Sequence, residues 1–159
     1  MQRSTIALAS VLALLAVLAV AFLWGGTLSV RVEATTALAS DYPEAYTAVR
    51  DELTVGGAPQ LFSQPLPDDP ALCRLEDVTL TLYNPGLIAA EWVSVSVEGA
   101  DGDVAVYAVT GEGDTVYARS TGTLNLKIVA RSDGQRDRVY HVEYYVFGMR
   151  RRVSAREAG

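Results

Sequence analysis

The chain has 159 residues, 50% of them hydrophobic, with 13 basic and 19 acidic side chains and a formal net charge of −6. That length suits one compact domain plus a terminal segment, and the acidic balance excludes the basic footprint that nucleic-acid phosphates require. A single cysteine excludes an internal disulfide, and a single histidine leaves little from which to assemble a hydrolytic triad or a conventional zinc site.

Residues Thr5 to Trp24 carry no charge and no proline. About 20 apolar residues in a helix span the ~30 Å hydrocarbon core of a bilayer. A cleaved signal peptide has a shorter apolar run, followed closely by a small-x-small site. Here Phe22-Leu23-Trp24 closes the run with bulky groups, and the nearest Ala-x-Ala, Ala37-Leu38-Ala39, lies well beyond it. Residues 1–26 are therefore expected to form an uncleaved transmembrane anchor with membrane lipid as its partner. Arg3 and the α-amino group keep the N-terminus cytoplasmic. The remaining chain then faces the extracytoplasmic side of a single-pass cell-membrane protein.

Residues 27–149 read as one β-rich domain. In Thr27–Glu33, Leu28, Val30 and Val32 alternate with Ser29, Arg31 and Glu33, the pattern of a half-buried strand. A short helix is expected over 43–53. Pro43 suits its first turn, Asp41 its cap, Tyr46, Val49 and Leu53 its buried stripe, and Gly56-Gly57 its end. The proline-rich stretch 58–70 predicts an extended connection packed across the domain.

Further strands follow at roughly ten-residue spacing. Val78, Leu80 and Leu82 define one inward phase, and Asn84-Pro85-Gly86 supplies a turn. Val93, Val95 and Val97 alternate with Ser94 and Ser96, leaving Trp92 on the serine side. Either a bulge turns Trp92 inward, or it stands on the outer face as an aromatic contact. Val104 to Val109 is apolar on both faces. A strand is expected at Thr115–Arg119, another carries Leu124, Leu126, Ile128 and Ala130 inward, and the last places Tyr140, Val142, Tyr144 and Val146 opposite His141, Glu143, Tyr145 and Phe147. Arg150, Arg151 and Arg152 head a basic C-terminal tail, 150–159.

About seven strands with this spacing fit an antiparallel sandwich. The segment Val78-Thr79-Leu80-Thr81-Leu82-Tyr83-Asn84-Pro85-Gly86, followed by Thr121-Gly122-Thr123-Leu124, resembles the bacterial immunoglobulin-like modules of cell-surface proteins, of the cell-adhesion-related type, over residues 77–131. The resemblance implies an envelope-exposed, non-catalytic sandwich and identifies no ligand. The fold class expected is thus mainly β: an N-terminal transmembrane helix, then an immunoglobulin-like antiparallel β-sandwich with one short helix.

The sequence offers little chemistry. His141 has Glu143 and Tyr145 on its face, yet a lone strand histidine reads as a surface residue. The acidic turns Glu98, Asp101, Asp103 and Glu112, Asp114 would share a calcium ion only if they met at one end of the sandwich. Cys73 reads as a small buried hydrophobe opening a strand. No cofactor and no metal site are expected, and the chain is read as no enzyme. The candidate binding residues are Trp92, Tyr145, Arg150, Arg151 and Arg152, on a membrane-anchored binding or structural module of the cell envelope whose partner is a protein or a surface polymer. The alternative is a carbohydrate-binding or cell-wall-polymer-binding module that stacks sugars on Trp92 and the tyrosines of the last strand.

Overall fold

Strand alternation in the sequence becomes two antiparallel sheets in the computed structural model, which describes residues 10–20 and 27–157. Residues 10–20 form a helix, α1, with every side chain exposed. Among the described residues no helix is long and apolar enough to cross a membrane. The remainder of the expected anchor, 1–9 and 21–26, lies outside them.

The domain runs β1 (Ser29–Leu38), α2 (Pro43–Val55), β2 (Gln60–Leu61), β3 (Cys73–Tyr83), β4 (Glu91–Glu98), β5 (Asp103–Thr110), β6 (Thr121–Arg131), β7 (Val139–Val146) and β8 (Met149–Arg156). One sheet has the order β1-β3-β6-β5-β2 and the other β4-β7-β8. With β2 set aside, this is the A-B-E-D against C-F-G arrangement of a constant-type immunoglobulin sandwich. The inner faces meet as the alternation demands. Val78, Leu80 and Leu82 of β3 and Leu124, Leu126 and Ile128 of β6 pack against Val93 and Val97 of β4 and Tyr140, Val142, Tyr144 and Val146 of β7. Burying each of the aliphatic side chains among these contributes about 1.5–3 kcal/mol.

A second, smaller core lies on the outer face of the five-stranded sheet. There Tyr46 and Val49 of α2 cover Ala39, Cys73, Val104, Ala105 and Val129. This explains why β5 is apolar on both faces. Cys73 is fully buried, and burial first, with the neighbouring Tyr46 hydroxyl at 3.9 Å, sets its surroundings. Desolvation raises its thiol pKa. Gly56, at φ +77, closes α2 in the left-handed conformation. The N-cap is Tyr42 without a side-chain bond, so Asp41 does not cap this helix.

Two expected segments differ. Thr115–Arg119 makes no strand; only Val116 bridges to Ala90, and the chain then turns. Arg150–Arg152 belong to β8 rather than to a tail. The reason is the Phe147-Gly148 pair, whose φ values of +52 and +71 make a two-residue hairpin of the kind that matches strand twist and returns the chain along β7.

The unexpected feature is a buried ionic network. Arg74 and Glu76 share the inward phase of Val78 and Leu80 on β3, and both are buried, as are Asp103 at the start of β5 and Arg138 just before β7. The Arg138 guanidinium forks onto Asp103, with Nε to Oδ2 at 2.7 Å and Nη2 to Oδ1 at 2.5 Å, and donates from Nη1 to Glu76 Oε2 at 2.5 Å. Arg74 donates to Glu76 and to the carbonyls of Ser132, Gly134 and Gln135, at 3.3, 2.9 and 2.9 Å. Asp103 also accepts from the Ala100 N–H at 2.7 Å. Two cations and two anions thus clamp β3, β5 and the β6–β7 connection.

Burial by itself would raise the Glu76 pKa, but hydrogen bonds and charges from Arg138 and Arg74 outweigh it and hold the carboxyl below its ordinary range. Burial likewise opposes the charge on Arg138, and its two carboxylate partners outweigh that, so it stays protonated. Removing one member leaves an uncompensated buried charge, so Arg138→Leu is expected to cost about 3–5 kcal/mol in urea unfolding. A loss below about 1 kcal/mol would show that the network is solvated. The pH dependence has a defined sign. The folded pKa of Glu76 is depressed, so its stabilisation is complete above the unfolded value of about 4.3 and is lost as pH falls below it. Glu76→Gln should flatten the acid-side slope of stability against pH, and an unchanged slope would place the titration elsewhere.

Candidate functional site

The outer face of β4-β7-β8 is built in rows by register. Glu91, Tyr145 and Arg150 form one row; Ser94, Glu143 and Arg152 the next; Ser96, His141 and Ser154 a third. The face is polar because it is the solvent side of a strand pattern whose other phase fills the core.

Trp92 departs from that pattern. Between the Glu91–Tyr145 and Ser94–Glu143 pairs, β4 places two residues, Trp92 and Val93, opposite one residue of β7. This bulge returns Val93 to the core and leaves Trp92 outside, 70% exposed. The bulge therefore does not turn the indole inward. Trp92 has φ +52, the left-handed position that glycine takes in bulges of this type. A bulky residue there costs about 1–2 kcal/mol in backbone strain.

The β5–β6 loop closes the free edge of β4 beside it. Val93 N–H donates to the Asp114 carbonyl at 3.2 Å, Gly113 N–H to the Val93 carbonyl at 2.7 Å, and Val95 N–H to Glu112 Oε1 at 2.9 Å. Glu112 thus caps a sheet edge. The two acidic turns flank the eight residues of β5, about 26 Å at strand rise, so they lie at opposite ends of the sandwich. Asp103 is already held by Arg138. Both facts overturn a shared calcium site between them.

Tyr145 is 38% exposed on the same face as Arg150 and Arg152. Arg150 forks onto Glu143, Nε to Oε2 at 3.1 Å and Nη2 to Oε1 at 2.5 Å. That hydrogen bond lowers the Glu143 pKa and raises that of Arg150. Arg151 differs, because it pairs with the buried Tyr144 and so takes the opposite phase, half-buried. The structure therefore gathers Trp92, Tyr145, Arg150 and Arg152 and separates Arg151 from them.

His141 is oriented by Ser154, with Nδ1 to Oγ at 2.8 Å, and by Glu98, with Nε2 to Oε2 at 3.4 Å, rather than by Glu143 or Tyr145. The order of acid, imidazole and hydroxyl matches a nucleophilic triad in sequence of contacts. The imidazole is mostly covered while the Glu98 carboxylate stands in solvent, and register sets the three groups in neighbouring cross-strand positions. The set serves as a cross-strand polar ladder.

No protein-family model matches the chain, and no curated protein matches it. Among solved structures it is similar to the GAE domain of yeast GGA1, with 12% identity and a TM-score of 0.39, over 61% of this chain and 96% of that one. A likeness this slight assigns neither fold nor function, and the immunoglobulin-like assignment stands on the strand order alone.

Because Trp92 sits where glycine is favoured and is mostly solvated, Trp92→Gly should be about 1 kcal/mol more stable than Trp92→Ala, which keeps the strained φ. Thermal unfolding of both variants checks this. If Trp92→Gly instead loses several kcal/mol, the indole is a packing residue.

Proposed function

We propose that the chain is a membrane-anchored, extracytoplasmic β-sandwich that acts as a non-catalytic binding module of the cell envelope, with a protein as its partner. The observation that carries the reading is Trp92: a large aromatic kept in water at a backbone position that penalises it. Tryptophan, tyrosine and arginine dominate interface energetics because they bury large rigid area while keeping a polar handle. Trp92, Tyr145, Arg150 and Arg152 supply that combination on one sheet face. A strand face presents its side chains as a broad array, which suits a protein surface better than a small ligand, whose sites are concave. The uncharged run from Thr5 to Trp24, with Arg3 before it, supports the anchor and the outward orientation. The likeness of residues 77–131 to cell-surface modules supports the envelope setting.

The test uses the full chain in detergent micelles, as a bait for envelope proteins and on a glycan array. Wild type is expected to retain a protein that Trp92→Ala releases, with the melting temperature of the variant within a few degrees of the parent. Retention of glycans alone, lost in Trp92→Ala, would replace the protein partner with a surface polymer. Equal retention by parent and variant would remove this face from the function.

A further inference from the structure

Register places the start of β1 and three loops at one end of the sandwich. Ser29 pairs with Tyr83, Tyr83 with Thr121, and Glu91 with Tyr145. The β3–β4, β5–β6 and β7–β8 connections therefore emerge together, next to the point where the chain enters the domain. Each carries one large apolar side chain in water: Leu87 at 69%, Tyr117 at 69% and Phe147 at 66% exposure. Turn tips are ordinarily built from glycine, proline, asparagine, aspartate and serine. Phe147 is further held at φ +52, where a bulky side chain is strained.

We infer that this end is a bilayer-contacting surface, with Leu87, Tyr117 and Phe147 seated in the headgroup layer of the membrane that holds the N-terminal segment. The inference rests on the reading of residues 5–24 as an anchor. Its geometry follows from the length of the link. The Leu28 N–H donates to the Tyr144 hydroxyl at 3.1 Å, which fixes the chain to the domain at this end. Only Gly25, Gly26 and Thr27 separate Leu28 from Trp24. Fully extended, those four steps reach about 14 Å. The headgroup layer on each side of the hydrocarbon is itself about 5–8 Å thick. The link thus keeps Leu28 within about 14 Å of Trp24, so the loop tips beside it lie in or just outside the headgroup layer, leaving no room for a folded partner between. Aromatic residues and apolar wedges are the side chains that partition to this layer. Arg119, exposed on the same turn as Tyr117, adds a cation at phosphate level.

The experiment is depth quenching in the full chain. Trp24 and Trp92 are replaced by Phe, and a single indole is introduced as Phe147→Trp, as Leu87→Trp, or as Leu72→Trp, which lies before β3 at the opposite end. Each protein is reconstituted into phosphatidylcholine vesicles with and without bromine high on the acyl chains, and flotation reports whether it is membrane-bound. Phe147→Trp and Leu87→Trp are expected to lose emission in brominated vesicles, since indoles seat at the interface, while Leu72→Trp is unchanged. Two tip positions guard against one variant that fails to fold. Protein that floats but shows no quenching at either tip overturns the membrane-facing end and leaves the anchor standing. Protein that does not float overturns the anchor, and this inference with it.

Discussion

Four charged side chains with no access to water decide how this sandwich is held together. Arg138 reaches from the β6–β7 connection to Glu76 on β3 and Asp103 on β5, and Arg74 completes the set through the carbonyls of the same connection. Buried ions are costly individually, and a network of equal and opposite charges with its hydrogen bonds made is the arrangement that offsets this. Its consequence is positional. The β6–β7 connection crosses from one sheet to the other, and fixing it to β3 and β5 sets where β7 enters the second sheet. The rows of the outer face, from Tyr145 to Arg152, follow from that entry point.

The strands joined are informative. In antibody domains a disulfide links strands B and F across the two sheets. This chain has one cysteine, buried elsewhere under α2. Its Glu76–Arg138 pair, from the equivalent of strand B to the residue just before the equivalent of strand F, ties these two elements with an ion pair. The link is then insensitive to redox conditions and responds instead to acid, through Glu76. The opposite end of the molecule has the reverse character: exposed apolar tips, of which Phe147 is strained, and a strained tryptophan, features that stability alone does not favour.

Much of the sheet architecture is legible in the sequence, because period-two alternation reports burial directly. The inward phases of β3, β6 and β7 are those found, as is the stripe Tyr46, Val49 of α2. The ionic network escaped because a charged residue in a strand pattern reads as solvent-facing. Yet Arg74 and Glu76 lie in register with Val78, Leu80 and Leu82, and that phase is the signal that was available. Strand β8 is hidden in the sequence because arginines in this stretch suggest a solvated, frayed segment. The Phe147-Gly148 turn, which commits them to pairing, is visible only as a dipeptide that suits positive φ poorly at its first residue. Trp92 shows the limit of phase arguments: the bulge was one of two expected outcomes, and the structure combines it with exposure of the indole, because the extra residue goes to the outside while Val93 resumes the core phase.

The proposed function takes a domain organised at one end by buried charge and tethers its other end to a membrane through the apolar run of residues 5–24. The central proposal is that an uncleaved anchor holds the folded domain at the cell surface. Intact cells carrying Ser63→Cys, an exposed position on the loop after β2, test this with a membrane-impermeant maleimide, since Cys73 is buried and stays silent in the folded protein. The expected result is labelling of full-length protein in the membrane fraction before lysis. Labelling only after lysis, or recovery of a shortened soluble form, would contradict the account.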